Sequence, residues 1–396
     1  MKTHRIESRN YWLLVGLAIL LTLVGYLAAH HIEDVGHVAT GMDNTVVWGL
    51  PHVFAIFMIV AASGVLNVAS IGSVFGQPLY KRRAPLSGLL CLALLSGGLM
   101  VLMLDLGRPE RVIVAATRYN FTSVFAWNVG LYSGMVAIVA VYLWTLFERR
   151  MNAWSKPAGI AALAWRFVLT TGTGSIFGFL VARQAYQSAL LAPLFVVLSF
   201  GWGLAVFLIV QSTMYLWNDR QLTPAVRRRM AVLLAVFVAA SLYLVAVYHL
   251  TNLYFARQHA FEAFILRDGG EITVLFWLGF VLVGSLTPMV LLFLPRLGGE
   301  RTVFVAAGLV VLGAFSFLYV FIIGGQVFPL DIFPGHSVHS PFGDGQIASY
   351  RASWPELLLG AGGLGAAFLI TLVGVRVLDF MPQDDLGAVS ASEGSP

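Results

Sequence analysis

Residues 44–76 read NTVVWGLPHVFAIFMIVAASGVLNVASIGSVFG, a stretch without one Asp, Glu, Lys or Arg. A helix needs about 20 mostly apolar residues to cross the hydrocarbon of a bilayer, and this stretch supplies more than that. Pro51 suits the first turn of such a helix, where its missing N–H breaks no intrahelical bond. His52, one turn below Trp48, is the titratable side chain of the run. An ionisable ring facing hydrocarbon is costly, so His52 is expected to face the bundle interior or a wet pocket. Working outward, comparable runs lie near 11–30, 46–76, 85–105, 122–147, 158–182, 189–217, 230–256, 271–294, 302–328 and 354–379. With 59% apolar residues, 11% charged residues and a mean hydropathy of +0.83, the chain is far from soluble composition. The expected fold is an all-α integral membrane protein of about ten transmembrane helices within residues 1–381. The polar tail 382–396 is expected to be disordered. The first run is long for the core of a signal peptide and has no small-x-small cleavage site after it, so it reads as a retained span.

Ten spans put both termini on one side. That side collects 17 of the 24 Lys and Arg, from Lys2, Arg5 and Arg9 through Lys81, Arg82, Arg83 and Arg166 to Arg376, and 8 of the 19 acids. The positive-inside bias makes it cytoplasmic and leaves the opposite side acidic, so the net charge of +5 is a topogenic signal and not a nucleic-acid footprint. The histidines divide the other way. His4 is cytoplasmic, whereas His30, His31, His37, His52, His249, His259, His336 and His339 fall at or beyond the outer ends of spans. The single Cys91, inside the third run, excludes a cysteine-ligated iron–sulfur cluster, a c-type haem site and an intrachain disulfide within this chain. Electron chemistry here requires a bound organic molecule, a haem on histidines, or a partner's cofactors.

The candidates for chemistry lie at the outer ends. Trp48 and His52 offer an aromatic wall and a group that passes protons near neutral pH. Asp105 and Arg108, three apart where Gly107 and Pro109 break the third helix, can close an elbow as an ion pair or shape a pocket. His249 beside Tyr248 is a second outer histidine, and Glu33, Asp34, Glu262 and Glu271 at the same level could carry protons or simply be solvated. No acid or base reads as mid-membrane, which argues against a transmembrane proton wire. Ser63, Asn67, Ser70 and Ser73 form one stripe explained by helix–helix hydrogen bonds. Gly360, Gly362 and Gly365 match G-x-G-x-x-G without a strand before them, so close helix packing is the better reading. The run Thr170–Ser175 reads likewise. Residues 329–353, PLDIFPGHSVHSPFGDGQIASYRAS, are expected to form an ordered docking surface. Three alternatives stay open: a haem b cytochrome using His52 and His249 or His30/His31, a small-anion transporter at the 170–175 run, and a structural anchor.

The Trp48-Gly49 start of the second span and the turn Asp105-Leu106-Gly107-Arg108-Pro109, in a ten-span order, resemble the NrfD/polysulfide-reductase membrane subunits. Within that family the chain looks most like the ten-span branch that includes DsrP of the sulfite-reduction-associated complex, through PHVFAIFMIVAASGVLNVAS (51–70) and FGDGQIASYRASWPELLLG (342–360). The resemblance implies two four-helix bundles with one extra helix at each end and a haem-free site for menaquinone or ubiquinone. It also implies a periplasmic ferredoxin-like iron–sulfur partner, with other membrane and cytoplasmic redox subunits, in the bacterial cytoplasmic membrane. By analogy Trp48 and His52 are the leading quinone-pocket residues, with Asp105 and Arg108 next; His249 rests on topology alone. The implied role is a quinone-reactive subunit of an oxidoreductase complex in dissimilatory sulfur metabolism.

Overall fold

Ten helices long and apolar enough to cross a membrane run through the computed structural model, which describes residues 9–217, 222–294, 299–330, 336, 345–378 and 380. They are α1 (Tyr11–Val35), α2 (Leu50–Ser73), α3 (Ala84–Leu104), α4 (Val124–Phe147), α5 (Arg149–Gly178), α6 (Leu191–Trp217), α7 (Pro224–Tyr254), α8 (Glu271–Phe293), α9 (Glu300–Val327) and α10 (Trp354–Val377). The tail 382–396, His4 and most of the 329–353 loop, His339 included, lie outside the described residues.

Their ends follow from local chemistry. Pro51, Pro224 and Pro355 sit in the first turns of α2, α7 and α10. Ser123 caps α4 by accepting from the Ala126 N–H. Ser353 and Glu356 close a capping box on α10, satisfying donors that a helix start otherwise leaves open.

Helices α2 to α5 close into one four-helix ring and α6 to α9 into a second, joined where α6 packs on α2 and α5. The two outer helices pair with each other, and α10 lies on α2 and α3. That pairing needs small residues: a Cβ on Gly362 would stand 2.6 Å from Gly25 Cα. Gly360, Gly362 and Gly365 are therefore packing glycines, as their place inside an apolar run implied. Helix α2 is central, with 89% of its apolar window buried, against 28% for α1, α4 and α8, whose remaining faces are free to meet lipid.

Two features depart from the sequence reading. Arg166 is not a loop cation: it lies mid-way along α5, 4% exposed, so a charge does sit at mid-bundle. The second bundle is also not uniformly α-helical. Wider π turns run through Leu275–Leu286 in α8 and Tyr319–Gly324 in α9. Such turns are often found at functional sites, and the one in α9 reaches the site described next.

Candidate functional site: a cavity at the histidine end

The backbone leading into α2 is held by three side chains, Gln326, which is buried, and Arg183 and Tyr350, which are half-buried. Gln326, at the end of α9, uses both ends of its amide. Its Oε1 accepts the Val47 and Trp48 N–H groups, each at 3.0 Å, and its Nε2 donates to the Trp48 and Ile322 carbonyls, each at 2.9 Å. Arg183 donates to the Gln326 carbonyl at 2.8 Å and the Thr45 carbonyl at 2.6 Å. Burial lowers its guanidinium from the ordinary range, partly opposed by Tyr186. From the α10 side, Tyr350 accepts the Leu50 N–H at 2.7 Å and donates to Glu356 Oε1 at 2.6 Å. Burial, followed by that bond to Glu356, pushes the Tyr350 phenol up, so it stays a donor. Glu356 Oε2 takes the N–H groups of Gly41 and Ser353 at 2.9 and 2.8 Å.

Behind Trp48 the first bundle opens into a cavity of about 330 Å³, within the range of small-molecule sites. Its wall is mostly apolar. Trp48, His52, Asp105, Asn128 and Tyr132 supply the polar atoms and Phe177 a flat ring, while Ile322 reaches in from the π turn of α9. Leu106 and Phe125 line it and are themselves exposed, so the cavity opens between the end of α3 and the start of α4. The Trp48 ring stacks on His52 with centroids 6.1 Å apart, and Phe177 stands edge-on to it at 5.6 Å.

His52 Nδ1 lies 3.2 Å from Asp105 Oδ2, with the two side chains 21% and 3% exposed. The two atoms are close but not aligned as a hydrogen bond. His52 Nδ1, Asp105 Oδ1 and Asn128 Oδ1 are all buried without a hydrogen-bond partner. Buried polar atoms are normally satisfied, and three such atoms on residues of one cavity wall mark a place built for a polar ligand.

Asp105 arrives there because α3 ends beside it. Gly107 takes φ +66°, a left-handed conformation that suits glycine, and Pro109 follows. His37 Nε2 lies 3.1 Å from the Asp105 carbonyl oxygen and steadies the turn. The same reversal carries Arg108 outward. It is exposed, does not line the cavity and forms no ion pair with Asp105, so the expected Asp105–Arg108 pair is replaced by Asp105–His52.

His249 is elsewhere. In α7, its Nδ1 lies 2.7 Å from Glu262 Oε2, while Asn252 Nδ2 donates to Glu262 Oε1 at 2.8 Å and the Phe276 ring packs edge-on at 4.9 Å. It does not line the cavity. Glu33, Asp34 and Glu271 are exposed, and His30 sits over Glu33 and Asp34 of its own helix. Among residues outside the sequence reading, Asn128 and Tyr132 matter most. They are four apart on an apolar helix, a spacing that could have marked one polar face. Gln326 was visible only as a lone amide at the end of an apolar run.

The polysulphide reductase NrfD family matches residues 38–330. The Hdr-like menaquinol oxidoreductase integral membrane subunit of Archaeoglobus fulgidus is 29% identical over 380 residues, covering 95% of both chains. A protein of Halobacterium salinarum named as a dimethyl sulfoxide reductase membrane subunit is 29% identical over 318 residues, 72% of this chain and 70% of that one. A selenate reductase subunit of Mesobacillus selenatarsenatis is 23% identical over 310 residues, 69% of this chain and 72% of that one. The family match runs from ahead of α2 to beyond α9 and so takes in both bundles and every residue of the cavity wall: the chain belongs to the polysulphide reductase NrfD family.

Proposed function

We propose that the chain is the quinol- or quinone-reactive membrane subunit of a multi-subunit oxidoreductase, and that the cavity at the histidine end is its headgroup site. The observation that carries this reading is the His52–Asp105 pair, set with an unpartnered carboxylate oxygen in an otherwise apolar wall that opens sideways. A relative named as a subunit of a menaquinol oxidoreductase, matched over 95% of the chain, supports it.

The donor set fits the group. Asp105 Oδ1 and Asn128 Oδ1 are free to accept from headgroup hydroxyls, and the Tyr132 and His52 side chains can donate to carbonyls. A bound quinol supplies two electrons and two protons. In that chemistry His52 takes or returns a proton at its ring, and Asp105 stabilises the imidazolium that results. Trp48 and Phe177 orient the flat headgroup, and the apolar mouth at Leu106 and Phe125 admits an isoprenoid tail from the bilayer.

The positive-inside bias supports a histidine end on the periplasmic face of a bacterial cytoplasmic membrane, with both termini cytoplasmic. There the electrons would pass to or from a ferredoxin-like iron–sulfur partner docked beside the 329–353 loop. The likeness of 51–70 and 342–360 to the DsrP branch favours dissimilatory sulfur metabolism as the setting. The test is quinol-dependent turnover of the purified complex, with its bound quinone extracted and its visible spectrum recorded. Loss of turnover in both His52→Ala and Asp105→Asn supports the reading. Unchanged turnover in both, or stoichiometric b-type haem bands that those variants remove, overturns it.

A further inference from the structure

The segment 106–121, LGRPERVIVAATRYNF, joins two spans and carries side chains the cavity does not use. Helix α3 ends at Leu104 and α4 begins at Val124, so the segment lies at the level where hydrocarbon gives way to headgroups. It folds as a 3₁₀ turn, Pro109–Arg111, followed by a short α-helix, Val112–Thr117. Val112 lines the cavity. At about 100° per residue Val114 points the opposite way, with Ile113 beside it and Arg111 and Arg118, two turns apart, flanking it. That outward side is bare: Ile113 is 67% exposed and Phe121 78%, and Leu106 and Val114 are exposed as well.

Arg108, Arg111 and Arg118 stand on this segment, all exposed. Cations are scarce at the histidine end, yet these three lie close together in the chain. No carboxylate pairs with any of them among the described residues, and Glu110, the one acid of the segment, is itself exposed. Aromatic side chains share the level. The exposed Trp127 indole donates to the Phe121 carbonyl at 2.7 Å, and the Tyr119 ring packs on Phe121 with centroids 4.8 Å apart. Trp and Tyr concentrate where a bilayer meets water. The same outward surface runs on into exposed Phe125 and Trp127 of α4, a helix whose apolar window is only 28% buried.

Bare apolar side chains interleaved with unpaired guanidinium groups, on a surface continuous with a lipid-facing helix, fit the face of a bilayer. The acyl layer takes Ile113, Val114 and Phe121, and the guanidinium groups meet phosphate oxygens just above it. A zwitterionic headgroup brings its own ammonium toward those cations, whereas a net-negative one does not. We infer that 106–121 is a membrane-surface anchor in which Arg108, Arg111 and Arg118 bind the headgroup phosphates of anionic phospholipids. The anchor holds the cavity rim that carries Val112 at headgroup depth, beside the mouth at Leu106 and Phe125. A single exposed arginine contributes little; the three act on one surface. This inference stands on the segment and not on the identity of the cavity's ligand.

The test places a small thiol-reactive fluorophore on Val114→Cys in the full chain, where Cys91 is wholly buried and stays unlabelled. The protein is reconstituted in nanodiscs of phosphatidylcholine with a minor share of phosphatidylglycerol, one lipid or the other carrying a nitroxide quencher high on its acyl chain. Both lipids should quench, because the label sits in the bilayer surface. Phosphatidylglycerol should quench as though enriched at the label by about ten-fold, the yield of roughly five-fold per basic residue at an anionic surface, opposed by Glu110. That preference should collapse at about 1 M salt, where the screening length falls to about 3 Å. Arg108→Gln, Arg111→Gln and Arg118→Gln combined should abolish it while phosphatidylcholine still quenches, and the three Arg→Lys changes should keep most of it. Quenching by neither lipid, as on a face reserved for a protein partner, overturns the inference. So does equal enrichment of the two lipids with the arginines in place, or a preference that survives the triple Gln variant. Should the Val114→Cys chain not fold, Ile113→Cys carries the same label with the same outcomes.

Discussion

Two histidine–carboxylate pairs stand at the same end of this molecule, one in each bundle, and they are built to opposite specifications. In the second bundle His249 and Glu262 lie 2.7 Å apart, Asn252 takes the other carboxylate oxygen, and Glu262 is wholly buried. Every oxygen of that carboxylate has a partner, and neither residue lines the cavity. In the first bundle His52 and Asp105 lie 3.2 Å apart and out of line, Asp105 keeps an oxygen with no partner, and both face about 330 Å³ of space. Similar residue types form a closed network in one place and an open one in the other. A saturated buried pair holds helices together; an unsaturated pair on a cavity waits for something to bind.

The largest expected effect tests the open pair. His52→Ala and Asp105→Asn should each lower quinol-dependent turnover of the complex by about 100-fold or more, the scale of a lost proton-transfer group. Melting temperatures of the two variants should stay close to wild type, because neither side chain has a full hydrogen-bond set to lose. A large drop in melting temperature with little loss of turnover would reverse the roles assigned to the two pairs.

The closed pair should behave the other way. Glu262→Ala leaves His249 and Asn252 facing an empty buried site, at a cost of roughly 3 kcal/mol for breaking a buried pair. A melting temperature several degrees lower is expected, with quinol KM unchanged in whatever fraction stays folded. If instead KM rises sharply while stability holds, His249 belongs to a ligand site after all.

How much of this contrast could be read in the chain alone differs between levels. Spans were legible because apolar runs of the right length admit few other readings, and the Trp48–His52 end of α2 was legible because Pro51 fixes where that helix starts. The partners of those residues were not. Asp105 is three residues from Arg108 and 53 from His52, and proximity in sequence favoured the wrong pair. The left-handed turn at Gly107 decides between them, and its sign is a property of the packed loop against His37. Arg166 misled for a related reason. Its charge suggested a loop, whereas two aromatic rings and the Ser63 carbonyl hold it inside the bundle. His249 packs against Glu262 in the second bundle and does not line the cavity, a distinction that only helix packing makes.

A smaller effect comes from the clamp that joins the bundles. Gln326 makes four hydrogen bonds, three of them to the backbone of Val47 and Trp48. Each contributes on the order of 1 kcal/mol when its buried partner would be orphaned. Gln326→Ala should free the Trp48 ring from its place over His52, raising the quinol KM by about ten-fold with a lesser change in kcat. Gln326→Glu keeps the acceptor for the two N–H groups and loses both donors, so it should fall between Gln326→Ala and wild type. A kcat loss matching that of His52→Ala would mean that Gln326 governs the proton-bearing pair and not only the ring beside it.

The smallest effect belongs to Arg108, and its smallness is the point. If the open pair is His52–Asp105, then Arg108 is an exposed cation beyond the turn, with no bond to Asp105 and no place in the cavity wall. Exposed charges contribute little, with interactions of about 0–1 kcal/mol screened by salt, so Arg108→Ala should change turnover less than about three-fold. It should also leave the loss caused by Asp105→Asn unchanged when the two are combined, since sites without shared partners add independently. Non-additivity in that double-mutant cycle would join Arg108 to Asp105 and give the first bundle a charged triad in place of an open pair.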